Sequence, residues 1–172
     1  HDHPVEIVTK SQRVVRDIDL LAPMAEKGLA RVNLSITTLD RKLARSLEPR
    51  AATPARRLDA IRALADAGIP VGVMVAPIIP ALTDPEMEAI LDAAAEAGAT
   101  LAGYVLLRLP REVKDLFAEW LAVNAPMKAE HVLSLVRGAR GGQLNDAEFG
   151  KRMRGSGPYA ELIAQRFRLA TR

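Results

Sequence analysis

Polar side chains and prolines lie at the ends of four apolar segments, where they could bind a ligand together. These residues are Lys10 and Ser11, Ser35 and Thr37, Ala76, Pro77 and Ile78, and Arg108. A lysine ammonium and hydroxyl groups suit a carboxylate, a ribose or a phosphate. The prolines interrupt the strand ladder and leave carbonyl groups that can accept from an adenine-like amine. Arg108 ends an apolar segment, so it is expected either to pair with a carboxylate or to bind a ligand.

The elements that would position these residues follow a repeated pattern. Three alanine-rich helical segments each end at a glycine, Gly28, Gly68 or Gly98, and an apolar run follows each one. Glycine readily adopts the left-handed conformation that closes a helix, and a short link to a strand is typical of α/β folds. A further apolar run, Val5 to Thr9, opens the chain. The pattern predicts parallel βαβ units. Because α/β folds bind ligands at the carboxyl ends of their strands, the polar residues should face one cleft.

Four strands are too few to close an eight-stranded barrel, so we expect half a barrel or an open sheet. The character of the chain changes after Pro110. Three helices are predicted there, at 112–123, 128–137 and 159–169, with a loop at 138–145. We therefore predict an α/β part at residues 1–110 and a C-terminal helical extension at residues 111–172 that packs on the same domain.

Residues 5–110 resemble the radical S-adenosylmethionine superfamily, most closely its spore photoproduct lyase-like branch and uncharacterised bacterial relatives. The resemblance is carried by Thr9-Lys10-Ser11, Ser35, Glu48-Pro49, Ala67-Gly68-Ile69-Pro70 and Val75-Ala76-Pro77-Ile78, in that order. It implies a partial TIM-like barrel that binds S-adenosylmethionine. Lys10 and Ser35 would bind the polar end of the cofactor, and the backbone near Ala76 would meet its adenine. The remaining strand-end residues, Ser11, Thr37, Pro77, Ile78 and Arg108, belong to the same expected site.

The chain departs from the family at the iron–sulfur cluster. Members of the family bind a [4Fe–4S] cluster through three cysteines, and this sequence has no cysteine. Because the cluster cysteines are missing, we interpret the chain as the C-terminal part of an iron–sulfur enzyme of unknown substrate, and its start at His1 without methionine agrees with missing upstream sequence. It would supply the ribose and adenine wall of the cofactor site and part of the substrate cavity. The fragment alone is expected to be inactive and to bind no cofactor by itself, whereas the parent would be an enzyme.

An alternative comes from the charge distribution. The net charge is +3 and the isoelectric point about 9.5, and residues 126–172 hold nine Lys and Arg against four Asp and Glu. A basic region can bind a polyanion. The chain could therefore be a non-catalytic α/β module whose basic C-terminal face binds nucleic acid or a partner protein. Nucleic acid is also a possible substrate class for the parent enzyme.

Other features have weaker implications. No apolar run is long enough to cross a membrane, and no leader is recognised, so a cytoplasmic protein is expected. His1 and His3 could form a metal pair but lack a third ligand, so no metal site is expected. A partial barrel leaves sheet edges open, which predicts association, for example as a dimer.

Overall fold

The computed structural model describes residues 3–172, so His1 of the His1–His3 pair lies outside the described residues. Strands and helices alternate through the first two thirds of the chain, and helices follow. The strands are β1 (Val5–Thr9), β2 (Ala30–Ile36), β3 (Val71–Ile78) and β4 (Leu101–Leu106). The helices are α1 (Ile18–Glu26), α2 (Arg41–Leu47), α3 (Pro54–Asp66), α4 (Met87–Glu96), α5 (Val113–Asn124), α6 (Ala129–Gly138) and α7 (Gly157–Ala170).

The four strands form one sheet in the order β1-β2-β3-β4. β1 pairs with β2 in parallel, with Val5 opposite Ala30, and β2 pairs with β3 in parallel, with Val32 opposite Val71. Neighbours in the chain are therefore neighbours in the sheet, as consecutive βαβ units produce. The predicted fold class, parallel βαβ repeats in an open, partial barrel followed by helices, is confirmed.

The central strand β2 is buried on both faces. Val32, Leu34 and Ile36 are fully shielded from solvent, and Asn33 and Ser35 on the alternate positions are buried as well. This explains why the strand reads as nearly continuous apolar sequence rather than as an alternating pattern. In contrast, among the strands of residues 3–172 β1 has one neighbour, β2, and Val8 is 62% exposed. Self-association through this edge stays a prediction.

The start and the end of helix α3, which carries Arg57, are determined by local sequence signals. Thr53 caps its first turn, with its hydroxyl accepting from the Arg56 amide at 3.4 Å, and Pro54 occupies the first helical position. Gly68 closes the helix at φ 73°, a conformation that costs glycine little. Ile61 and Leu64 are buried, whereas Leu58 is only partly covered.

Strand β3 runs three residues further than the sequence predicts, because Ala76, Pro77 and Ile78 belong to it rather than following it. The ladder with β2 ends at Ile36 opposite Val75. Pro77 therefore lies two residues beyond the last pair of the β2–β3 ladder, and the end of a ladder is a position where proline is tolerated.

The chain divides into two compact units. The first comprises residues up to Val75 together with Ala89–Gly103, and the second comprises Ala76–Glu88 together with Tyr104–Arg172. The domain boundary near residue 110 that the sequence suggested stays a prediction.

In the second unit, Arg140 is 2% exposed and donates to four backbone carbonyls. The acceptors are Leu106 at 2.6 Å, Leu107 at 3.1 Å, and Lys151 and Arg152 at 3.0 Å each. The Leu106 amide in turn donates to the Met153 carbonyl at 2.9 Å. Arg140 therefore joins the end of β4 to the segment that precedes α7.

Candidate ligand-binding site

Glu48 is the centre of a polar cluster at the carboxyl ends of β1 and β2. Its Oε1 accepts from the ammonium of Lys10, which follows β1, and from the hydroxyl of Thr37 at 2.9 Å, which follows β2. Its Oε2 accepts from Arg57 Nη2 at 2.5 Å. Two cations and a hydroxyl therefore converge on one carboxylate, and the cluster ties together the turns that follow two neighbouring strands.

Arg57 anchors this cluster to the backbone. Its Nη1 donates to the Ser35 carbonyl at 2.7 Å and its Nε donates to the Ala52 carbonyl at 2.8 Å. The residue is 2% exposed. A buried guanidinium is tolerated when its nitrogens donate hydrogen bonds and a carboxylate balances its charge, and here each of the three nitrogens donates and Glu48 supplies the carboxylate. Arg57 thus fixes the position of Glu48 relative to β2.

Opposing effects act on the pKa of Glu48. Burial raises it, and the hydrogen bonds and charges of Lys10 and Arg57 together lower it further than burial raises it, so the net pKa lies below its ordinary value. The carboxylate is therefore ionised at neutral pH. The side chain of Lys10 is still 37% exposed, so its ammonium can donate to a ligand while Glu48 holds it in place.

The structure brings together some of the predicted site residues in the first unit. Lys10 and Thr37 meet at Glu48, with 3.5 Å between the Lys10 ammonium and the Thr37 hydroxyl. Ser35 is buried, and its carbonyl accepts a hydrogen bond from Arg57. The hydroxyl of Ser11 accepts from the Arg13 amide at 3.2 Å and caps the short 3₁₀ turn after β1. Their contact with a cofactor stays a prediction.

The remaining predicted residues belong to the second unit. Ala76, Pro77 and Ile78 lie within β3, and the Ile78 carbonyl accepts from the Leu107 amide at 2.9 Å. One lone pair of the Ile78 carbonyl therefore already accepts from Leu107 and cannot accept from a ligand. Arg108 follows β4 and is partly exposed, and no carboxylate of residues 3–172 pairs with it. Its role in ligand binding also stays a prediction.

Sequence reasoning missed Arg57 and did not assign a role to the Glu48 carboxylate. The signal for Arg57 was its spacing, because Arg57, Ile61 and Leu64 fall four and three residues apart on the buried face of α3. A charged residue on an apolar helix face needs a buried partner, and Glu48 is the acidic residue that precedes it at the end of α2.

In the part of the chain that the structure describes, no group of three or more His, Cys, Asp or Glu side chains could hold a metal ion. The described residues also contain no helix long and apolar enough to span a membrane.

A family model described as the radical SAM superfamily matches residues 1–94, more than half of the chain. The chain therefore belongs to the radical SAM superfamily, as its strand-end motifs predicted.

Two uncharacterized proteins are similar to this chain in sequence. An uncharacterized protein of Mycobacterium tuberculosis, Rv2578c, is 35% identical over 136 residues, which is 78% of this chain and 40% of the relative. An uncharacterized protein of Methanocaldococcus jannaschii, MJ0683, is 34% identical over 82 residues, which is 48% of this chain and 30% of the relative. The chain thus spans less than half the length of these relatives.

Among solved structures, a mutant of spore photoproduct lyase with bound AdoMet and dinucleoside spore photoproduct is similar to this chain. The TM-score is 0.56 at 20% sequence identity, covering 98% of this chain and 46% of the lyase. At this level of identity the match shows a shared fold.

The family implies S-adenosylmethionine and a [4Fe–4S] cluster, and the residues present fit these groups unequally. The cluster needs thiolate ligands, and the 172 residues include no cysteine, so this chain does not supply them. The Lys10 ammonium has the donor chemistry that the carboxylate of S-adenosylmethionine requires, and the Thr37 hydroxyl, which donates to Glu48, has lone pairs that can accept from a ribose hydroxyl. The chain's own residues thus fit the organic cofactor and not the cluster.

Proposed function

We propose that this chain is the part of a radical S-adenosylmethionine enzyme that binds the polar groups of S-adenosylmethionine at the carboxyl ends of β1 and β2. Lys10, Ser11, Ser35 and Thr37 would form this part of the cofactor site. The observation that carries the proposal is the convergence of Lys10 and Thr37 on Glu48 in a member of this superfamily. The thiolates of the cluster would come from residues outside these 172.

Each residue of the cluster has a separate task in this proposal. Lys10 donates to the cofactor carboxylate through its exposed part, and the Thr37 hydroxyl, whose proton is donated to Glu48, accepts from a cofactor hydroxyl. Glu48 and Arg57 touch no cofactor; they are positioning residues that hold Lys10 and Thr37 against the end of β2. The bound cofactor, once cleaved reductively, would supply the radical that abstracts hydrogen from the substrate.

Binding of S-adenosylmethionine to the full-length protein, reconstituted anaerobically with iron and sulfide, tests the proposal. Equilibrium dialysis gives the dissociation constant. Lys10→Met should weaken binding about tenfold, because a hydrogen bond to a charged group is worth about 1.5–3 kcal/mol. Lys42→Met removes an exposed ammonium from the first turn of α2 and is the matched control, with unchanged binding expected.

The outcomes separate clearly. A reconstituted protein that contains the cluster but does not bind S-adenosylmethionine would refute the proposal for the whole protein. Binding that Lys10→Met leaves unchanged would refute the assignment of Lys10 and leave the family function in place.

A further inference from the structure

A groove with only basic and neutral side chains runs beside the Glu48 cluster. It lies between the turn that follows β1 and the loop that leads into α3, and it has a volume of about 550 Å³. We call it the cationic groove. Its lining residues are Thr9, Lys10, Ser11, Gln12, Arg13, Arg50, Ala51, Ala52, Thr53 and Arg56.

The charge of the groove is not compensated locally. All ten lining residues lie in the described part of the chain, and none of them is acidic. Lys10 is paired with Glu48, whereas the guanidinium groups of Arg13, Arg50 and Arg56 have no ion pair with any carboxylate of residues 3–172. All three arginines are exposed. Three free guanidinium groups along one groove produce a positive potential that attracts anions.

The donor types favour a phosphate over other anions. A guanidinium group binds phosphate through two parallel hydrogen bonds, and Ser11 and Thr53 add hydroxyl groups at the groove. One carboxylate would neutralise only one of the three arginine charges. A phosphate carries up to two negative charges and offers several acceptor oxygens, so it matches the groove better. The N-terminus of α3, which begins at Pro54 beside the groove, adds positive potential of the same sign.

The groove lacks the features that recognise nucleobases. None of its ten lining residues is aromatic, so bases have no aromatic surface on which to stack. A ligand that enters it would be recognised by its phosphate groups.

We propose that the cationic groove is a phosphate-binding site, which takes either the phosphate of a small molecule or the phosphodiester backbone of a nucleic acid strand. The groove lies at the carboxyl end of β1, the edge at which parallel α/β folds bind ligands. The proposal concerns Arg13, Arg50 and Arg56, and it holds whether or not S-adenosylmethionine binds at Lys10.

Two probes distinguish a small phosphorylated molecule from a nucleic acid strand as the ligand. The full-length protein is titrated with a fluorescein-labelled single-stranded octathymidylate and, separately, with inorganic pyrophosphate by calorimetry, at about 50 mM salt where phosphate contacts are strong. The groove variant carries Arg13→Gln, Arg50→Gln and Arg56→Gln. The matched control carries Lys114→Gln, Arg168→Gln and Arg172→Gln, which remove the same charge from exposed positions outside the groove.

The groove variant should bind at least one probe about tenfold or more weakly, and the control should bind like the unchanged protein. Binding of the oligonucleotide through three arginines should also weaken with salt, with a logarithmic slope of about −2 that approaches zero in the groove variant. Preference for the oligonucleotide identifies a nucleic acid strand as the source. Preference for pyrophosphate, with displacement of the oligonucleotide, identifies a small phosphorylated molecule.

Three results would overturn the proposal. They are the absence of binding of both probes, an equal loss in both triple variants, and a loss confined to the control variant. The last result would support the basic C-terminal face instead. Since the three arginines are exposed, the variant should keep its thermal unfolding midpoint; if it does not, Arg50→Gln alone, with a smaller loss of affinity, replaces it.

Discussion

Glu48 and Arg57 form a buried ion pair that closes the loop between α2 and α3, with 2.5 Å between Glu48 Oε2 and Arg57 Nη2. The side chain of Arg57 is 2% exposed and that of Glu48 is 14% exposed, so the pair is largely shielded from solvent. This pair should therefore matter more for stability than the surface ion pairs of the chain.

Replacing Arg57 by methionine should destabilise the protein by about 3 kcal/mol, because Glu48 Oε2 and the carbonyls of Ser35 and Ala52 lose their donor, whereas Lys10 still pairs with Glu48 Oε1. Urea unfolding monitored by circular dichroism measures the change. Arg56→Met, at the exposed neighbouring position, should change the free energy of unfolding by less than about 0.5 kcal/mol. Similar losses in both variants would show that Arg57 is not a structural anchor.

The stability should depend on pH through Glu48. Its pKa is lower in the folded protein than its ordinary value of 4.5, so its contribution is complete above that value and disappears as the pH falls through the folded pKa. The destabilisation caused by Glu48→Gln should therefore be large at neutral pH and should shrink in acid. Free energies of unfolding at a series of pH values give this difference. Glu119→Gln, at an exposed position of α5, should show no such trend.

Loss of the Arg140 guanidinium should loosen the segment around residues 151–153 selectively. In Arg140→Met the carbonyls of Leu106, Lys151 and Arg152 lose a common donor, so the hydrogen bond from the Leu106 amide to the Met153 carbonyl should open more often. Hydrogen exchange at Leu106 should accelerate by about tenfold or more.

The control for this experiment is Arg137→Met, which removes an exposed guanidinium that pairs with Glu130 within α6. Unchanged exchange at Leu106 is expected there. If the Leu106 amide stayed protected in Arg140→Met as well, Arg140 would not be the residue that fixes residues 151–153.

Close packing around Gly72 should exclude even a methyl group. A Cβ atom at this position would overlap the Asn33 side-chain oxygen and would lie 3.1 Å from the Leu101 carbonyl oxygen. Gly72→Ala should therefore destabilise the protein by about 1–3 kcal/mol. Gly138→Ala is the matched control, since its backbone is helical and no atom lies within 4 Å of the place that a Cβ would take. Thermal unfolding of both variants compares them, and a neutral Gly72→Ala would contradict the packing argument.

The sequence predicted the alternation of strands and helices because each junction has a local signal, such as the glycine after α3 at Gly68. It placed Lys10 and Thr37 correctly at strand ends because the parallel α/β pattern decides which ends meet. It could not predict that both contact Glu48, since that contact depends on the path of the loop after α2. The predicted end of β3 was wrong because proline usually terminates a strand, whereas Pro77 lies beyond the last β2–β3 pair and continues the strand.

The parallel register has a consequence for how fast the chain folds. Val5 lies opposite Ala30 and Val32 lies opposite Val71, so each pairing of strands encloses about 25 to 40 residues of chain. Closing such segments costs entropy before any sheet contact forms, which slows the search for the native topology. Helices α1 and α3 shorten the segments that must be closed between paired strands. A substitution that weakens either helix should therefore lower the folding rate by more than the loss of that helix's packing contacts alone would.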